Sequence, residues 1–180
     1  MKKVVFLMIL ISSTKMNAQE NDIKTGPIIE NFGKTYQIKN PDLSLKMDTE
    51  YKVIFDIYTD NSKDNNPNPL LDTVARYLNM HAQQGILQEN MKVAVILHGT
   101  ATKSALSNEA YQNRFENDNP NSKLIQGLKN ANVEIYVCGQ SYLANGFNLN
   151  EKSADVKLSL SALTALVDYQ KNGYLIINFN

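Results

Sequence analysis

The chain has 180 residues, 18 basic and 18 acidic side chains, and a hydrophobic content of 43%. That length favours a single domain with a substantial core, and the composition is that of an ordinary soluble globular protein. Balanced charge leaves no field to gather nucleic acid or an anionic membrane, and no run of like charges forms a binding tail.

At the start, Lys2-Lys3 precede the apolar run Val4 to Ile11, and Ser12, Ser13 and Ala18 follow. A basic opening, a short apolar stretch and small residues before a cut site describe a secretory signal peptide over residues 1–19. The run is too short to cross a bilayer as a helix. No cysteine follows the expected cut, which speaks against a lipid anchor. The expected location is therefore the bacterial periplasm or the exterior, free of the membrane after cleavage.

Residues 20–49 read as an irregular lead-in with one short extended piece. Gly26-Pro27, Gly33 and Asn40-Pro41 punctuate it, while Ile28, Ile29, Phe32, Tyr36 and Ile38 can cover part of a core. The domain proper is expected over residues 50–180. Tyr51 to Tyr58 carries apolar residues on both faces, as a strand in a covered sheet does. A polar loop leads to Pro69, which suits the first turn of a helix whose stripe is Leu70, Leu71, Val74 and Leu78. Met91 to Leu97 is a second buried strand, closed by His98-Gly99-Thr100. Ser104 to Arg114 predicts a short helix with Leu106, Ala110 and Tyr111 inward. Asn119 to Ser122 is a turn and cap before a helix through Leu124, Ile125 and Leu128.

Val133 to Cys138 alternates as a strand, Gly139 permits a tight turn, and Ser141 to Phe147 predicts a short helix. Asn148 to Lys157 reads as a surface loop. Val156 to Gln170 reads as one helix with Leu160, Leu163, Leu166 and Val167 inside, followed by a last strand from Tyr174 to Phe179. Such alternation predicts a single α/β domain, Rossmann-like or flavodoxin-like. Its mainly parallel sheet would have about four or five strands, with helices on both faces.

Cys138 is the only cysteine, so an exported chain cannot close an internal disulfide with it. It sits at the carboxyl end of a strand and before a helix, where the helix dipole favours thiolate. A nucleophile or sulfur carrier is one reading, and a small buried hydrophobe is the other. His98 ends a neighbouring apolar strand. There it can serve as a base or an anion-binding donor, or merely close the strand through a backbone hydrogen bond. No third residue to orient its imidazole follows from spacing. His81 has no partner at metal-ligand spacing, and two histidines with one cysteine give no zinc pattern, so no metal site is expected. Phosphate loops, dinucleotide fingerprints and the G-x-S-x-G elbow are absent from the sequence, so no nucleotide cofactor is indicated. Ser161 and Thr164 are explained by packing.

Three segments together resemble the DsrE/DsrF-like (YchN-like) group, which includes the sulfur-relay proteins. The first is Val93 to Gly99, a strand ending in His-Gly. The second runs from Asn119-Pro120-Asn121 through Leu124, Ile125 and Leu128 to Val133–Ser141, with Cys-Gly-Gln-Ser at the strand end. The third is Ser161 to Val167 with Gln170, Gly173 and Tyr174. The lead-in from Gly26 to Gly33 is similar to that of exported members.

The resemblance implies a parallel α/β fold, a homo-oligomer (trimer or hexamer) and no organic cofactor. In relay members a cysteine carries persulfide sulfur between donor and acceptor proteins, and Cys138 matches the cysteine at this strand end. His98 is the second catalytic candidate, and Gly99, Gly139, Gln140 and Ser141 are the expected substrate-lining residues. The alternative is a non-catalytic ligand-binding or oligomeric interaction protein on the same fold. A disulfide redox enzyme fits poorly, because the chain has no resolving cysteine.

Overall fold

The computed structural model describes residues 23–63 and 65–179; the expected signal peptide lies outside them. In chain order the elements are β1 (Ile23–Lys24), β2 (Thr35–Tyr36), β3 (Tyr51–Ile57), α1 (Pro69–Gln83), β4 (Met91–Leu97) and α2 (Asn108–Phe115). There follow α3 (Ser122–Asn130), β5 (Glu134–Cys138), α4 (Gly139–Ala144), β6 (Lys157–Ser159), α5 (Ala162–Lys171) and β7 (Leu175–Asn178).

Five strands form one parallel sheet in the order β6-β5-β4-β3-β7. Its middle is β4, every residue of which except Lys92 is buried. Such a run belongs in a sheet covered on both sides. The two covers are unequal. On one face Val53, Phe55, Ile57, Val93, Val95, Leu97, Ile135 and Val137 meet α1, α3 and Tyr142 of α4 in the larger core. On the other, Ile54, Ala94, Ile96 and Cys138 meet Ala162 and Ala165 of α5. Small side chains on both sides let α5 lie close against the sheet.

Two expected helices begin later than their apolar patterns suggest. Gly99–Ala105 is a 3-10 turn and Leu106 is extended. Ser107 then caps α2 by accepting the Ala110 N–H at 3.1 Å, with Leu106, Ala110 and Tyr111 buried as expected. The expected helix from Val156 is divided. Lys157–Ser159 pairs in parallel with β5 as an edge strand, and Ser161 caps α5 through the Thr164 N–H at 3.0 Å. The late start rotates the helix, so Ala162 and Ala165 face the sheet while Leu160, Leu163 and Val167 face out. Of the expected inner stripe, Leu166 does pack half-buried against the sheet.

The lead-in forms a two-stranded antiparallel ladder of β1 and β2. Buried Asn79 of α1 fastens it, accepting the N–H groups of Ile28 and Ile29 and donating to the carbonyls of Ile29, Phe32 and Gly33. Among the described residues no helix is long and apolar enough to cross a membrane.

Candidate functional site

Parallel pairing puts residues in register on one face of the sheet. Leu97 pairs with Val137 and Cys138 with Ser159, so extending β4 by one residue sets His98 beside Cys138. Two steps beyond Ile54 and Ile96 on their strands, Asp56 and His98 take the same face as Cys138. Asn178 of β7 is in register with Asp56. Ser159, Cys138, His98, Asp56 and Asn178 thus cross the carboxyl edge from β6 to β7. The chain leaves β5 for α4 on one face of the sheet and β6 for α5 on the other, the kind of divergence at which open α/β sheets bind ligands.

Cys138 ends β5 and is also the N-cap of α4, with 3% of its surface exposed. Its Sγ accepts the Ser141 backbone N–H at 3.4 Å. Burial pushes the thiol pKa up. The Ser141 hydroxyl and N–H, with the N–H groups of Ala162 and Gln140, outweigh burial and bring it below the ordinary thiol value. Two helix starts therefore converge on one sulfur: α4, which Cys138 itself caps, and α5, which contributes Ala162.

His98 follows β4 and donates its backbone N–H to Ile57 O at 2.9 Å, which is the strand-closing role. Its side chain is committed as well. Nε2 lies 2.6 Å from Asp56 Oδ1, with 19% and 14% of the two side chains exposed. Asn178 Nδ2 donates to the other Asp56 oxygen at 3.3 Å, and the Tyr58 ring meets the imidazole edge-on at 5.0 Å. Asp56 is on the side of β4 away from β5, so the imidazole hydrogen bond goes to Asp56 rather than to the thiol. The structure places His98 and Cys138 on adjacent strands and one face without a hydrogen bond between them.

The glycines hold the two loops. Gly99 has φ +52°, and a Cβ there would lie 2.6 Å from Tyr58 atoms. A Cβ on Gly139 would lie 3.0 Å from Ser159 O, so β6 approaches the start of α4 closely. Asn145, at the end of α4, donates to Gly99 O at 2.8 Å and Thr102 Oγ1 at 2.9 Å, clamping one loop to the other. Ser141 is half-buried against the sulfur, whereas Gln140 is exposed.

Elsewhere, His81 is half-buried, with Nδ1 2.8 Å from Tyr77 O and its ring against Tyr77 and Tyr51. Burial lowers its pKa. Ser161 is the α5 cap, and its Oγ also lies 2.9 Å from Thr164 Oγ1. A polar cleft of about 430 Å³, lined by Asn108, Asp118, Asn119 and Lys123 among others, includes neither Cys138 nor His98. Among the described residues no group of three or more His, Cys, Asp or Glu is placed to hold a metal ion.

Asp56 and Asn178 did not stand out in the sequence. Asp56 had a signal: it is the one acid within the alternating strand Tyr51–Ile57, at the position expected to point inward with Ile54. Asn178 had none.

The fold and edge define a parallel α/β domain with a thiol among N–H donors at the carboxyl edge of its sheet. The DsrE/DsrF-like family model matches residues 52–179, and the chain belongs to that family. A protein of unknown function, MTH1491 from Methanobacterium thermoautotrophicum, shares the fold at 18% identity and TM-score 0.54, covering 72% of this chain and 100% of its own. The ychN protein from E. coli is similar at 15% identity and TM-score 0.52, over 72% of this chain and 99% of its own. No curated protein matches the chain.

Proposed function

We propose that this is an exported sulfur-handling protein in which Cys138 accepts sulfane sulfur as a persulfide and passes it to an acceptor. The observation that carries the reading is the set of N–H and O–H donors aimed at Cys138 Sγ, which lowers its pKa despite burial. A thiolate attacks the outer sulfur of a donor persulfide, the Sγ–S bond forms as the donor's S–S bond breaks, and the donor leaves with the bonding pair. The reverse step on an acceptor thiol would return Cys138 to its starting state. Family membership is consistent with this role.

The test is mass spectrometry of the native chain after exposure to glutathione persulfide. One added sulfur on Cys138, absent in Cys138→Ser, supports the carrier. A thiol that alkylates only after unfolding and never gains sulfur sinks it.

The low exposure of Cys138 favours a second reading, in which it packs beside an interaction surface on a non-catalytic protein. Under that reading Cys138→Ser leaves binding and assembly unchanged.

Two further parts of the proposal concern place and assembly. The basic and apolar opening of the chain supports export to the periplasm or beyond, with a mature N-terminus near Gln19. Mass measurement of the exported protein tests this. The outward leucines of α5 and β6 support a homo-oligomer, and a trimer or hexamer is what the family resemblance implies.

A further inference from the structure

We infer that Asp56 is a positioning residue for sulfur transfer: it holds the His98 imidazole where the leaving sulfur of the donor must emerge. The inference rests on the persulfide-carrier reading and adds to it a proton path and the residue that fixes it.

A thiolate displaces at sulfur in line, so attacking, transferred and leaving sulfurs lie nearly on one axis. Two S–S bonds of about 2 Å end to end place the leaving sulfur about 4 Å from Cys138 Sγ. Neighbouring strands of a sheet are about 4.8 Å apart. Attack along the carboxyl edge toward the sheet centre therefore releases the leaving sulfur over the end of β4, where His98 stands next to Cys138 in register. Toward the other side lies only β6, whose residue in register is Ser159.

The proton path follows. The Cys138 thiol loses its proton and His98 gains one, exchanged through solvent because no hydrogen bond joins the two side chains. The thiolate attacks the outer sulfur of a small persulfide, and the new Sγ–S bond forms as the donor's S–S bond breaks. The bonding pair leaves with the inner sulfur, which takes the proton from His98 and departs as a thiol. The sum is thiol plus persulfide giving persulfide plus thiol, with no net oxidation.

An unsupported imidazole would be free to rotate about its side-chain bonds. Asp56 removes that freedom by the 2.6 Å contact to Nε2, and Asn178 steadies the carboxylate from β7. An acid next to the buried Ile54, Ala94 and Ile96 of this face, with Lys52 and Lys92 at its far, amino end, has His98 as its ion-pair partner.

The experiment measures the rate of sulfur uptake from glutathione persulfide by the full mature chain. It compares wild type, Asp56→Asn, His98→Gln and the double variant, each over a range of donor concentrations. Expected are falls of about tenfold in the maximal rate for either single variant, with half-saturation unchanged. The double variant should be no slower than His98→Gln alone, since Asp56 acts only through His98. Asn178→Ala gives a smaller fall that also vanishes in the His98→Gln background, and decides the question should Asp56→Asn not fold. An Asp56→Asn rate equal to wild type, or a loss that multiplies that of His98→Gln, overturns the inference and leaves the carrier reading intact. A wild-type chain that takes up no sulfur overturns both.

Discussion

The Ser141 N–H lies 3.4 Å from Cys138 Sγ, so the sole thiol of the chain caps the helix that begins immediately after it. A side chain in that place normally offers an oxygen to an unpaired helix N–H. A thiolate does the same with a full charge. The capping position accounts for a thiol that is both buried and acidified.

The first prediction concerns the titration of this thiol. Burial opposes the charged form, while the Ser141 hydroxyl and the surrounding N–H groups favour it and prevail. Iodoacetamide alkylation of native protein should therefore reach half its limiting rate at a pH below that of free cysteine. Ser141→Ala removes one donor and leaves burial in place, so the midpoint moves upward. Rates measured across pH by mass spectrometry check both; a downward or absent shift in Ser141→Ala would show that the hydroxyl does not solvate the sulfur.

Gly99 should tolerate no side chain. Its φ of +52° already disfavours an L-residue, and an added Cβ would lie 2.6 Å from both the Tyr58 ring and its carbonyl. Gly99→Ala is expected to cost about 2 kcal/mol or more in urea denaturation. Sulfur uptake should fall as well, because the displaced loop carries His98.

What could be read from the sequence divides by the range of the interactions involved. The buried strands Tyr51–Ile57 and Met91–Leu97, the parallel order and the place of Cys138 follow from local pattern, which is strong for covered strands. The expected helix from Val156 failed because a three-residue edge strand is too short to show a period and Ser161 overrode the leucine stripe. His98 was legible as a strand end. Its partner was not, since Asp56 and His98 are 42 residues apart and only the pairing of β3 with β4 unites them.

The outer face of α5 carries the third prediction. Leu163 is 78% exposed, and Leu160 and Val167 lie on the same side. Contiguous exposed leucines mark an interaction surface more often than open solvent. Leu163→Lys is expected to shift the protein from oligomer to monomer in sedimentation velocity, without loss of the circular dichroism signal of the fold. A wild-type chain that is monomeric at high concentration would remove the basis for assembly through this face.

The fourth prediction tests what fastens the lead-in. Asn79 is fully buried, and its amide bonds five backbone groups of Ile28, Ile29, Phe32 and Gly33. No other side-chain type offers two donors and a carbonyl acceptor at this length without a charge, apart from its homologue glutamine. Asn79→Ala would strand these groups in a dry interface, where each unpaired group costs about 1–3 kcal/mol, although water and local relaxation recover part of the sum. A net loss of about 3 kcal/mol in urea denaturation is expected. Hydrogen exchange at the Ile28 and Ile29 amides should accelerate more than exchange in β4, because the lead-in detaches before the sheet opens. Equal acceleration in both would mean that the lead-in is part of the same cooperative unit as the sheet, and that its hold on α1 secures the whole domain.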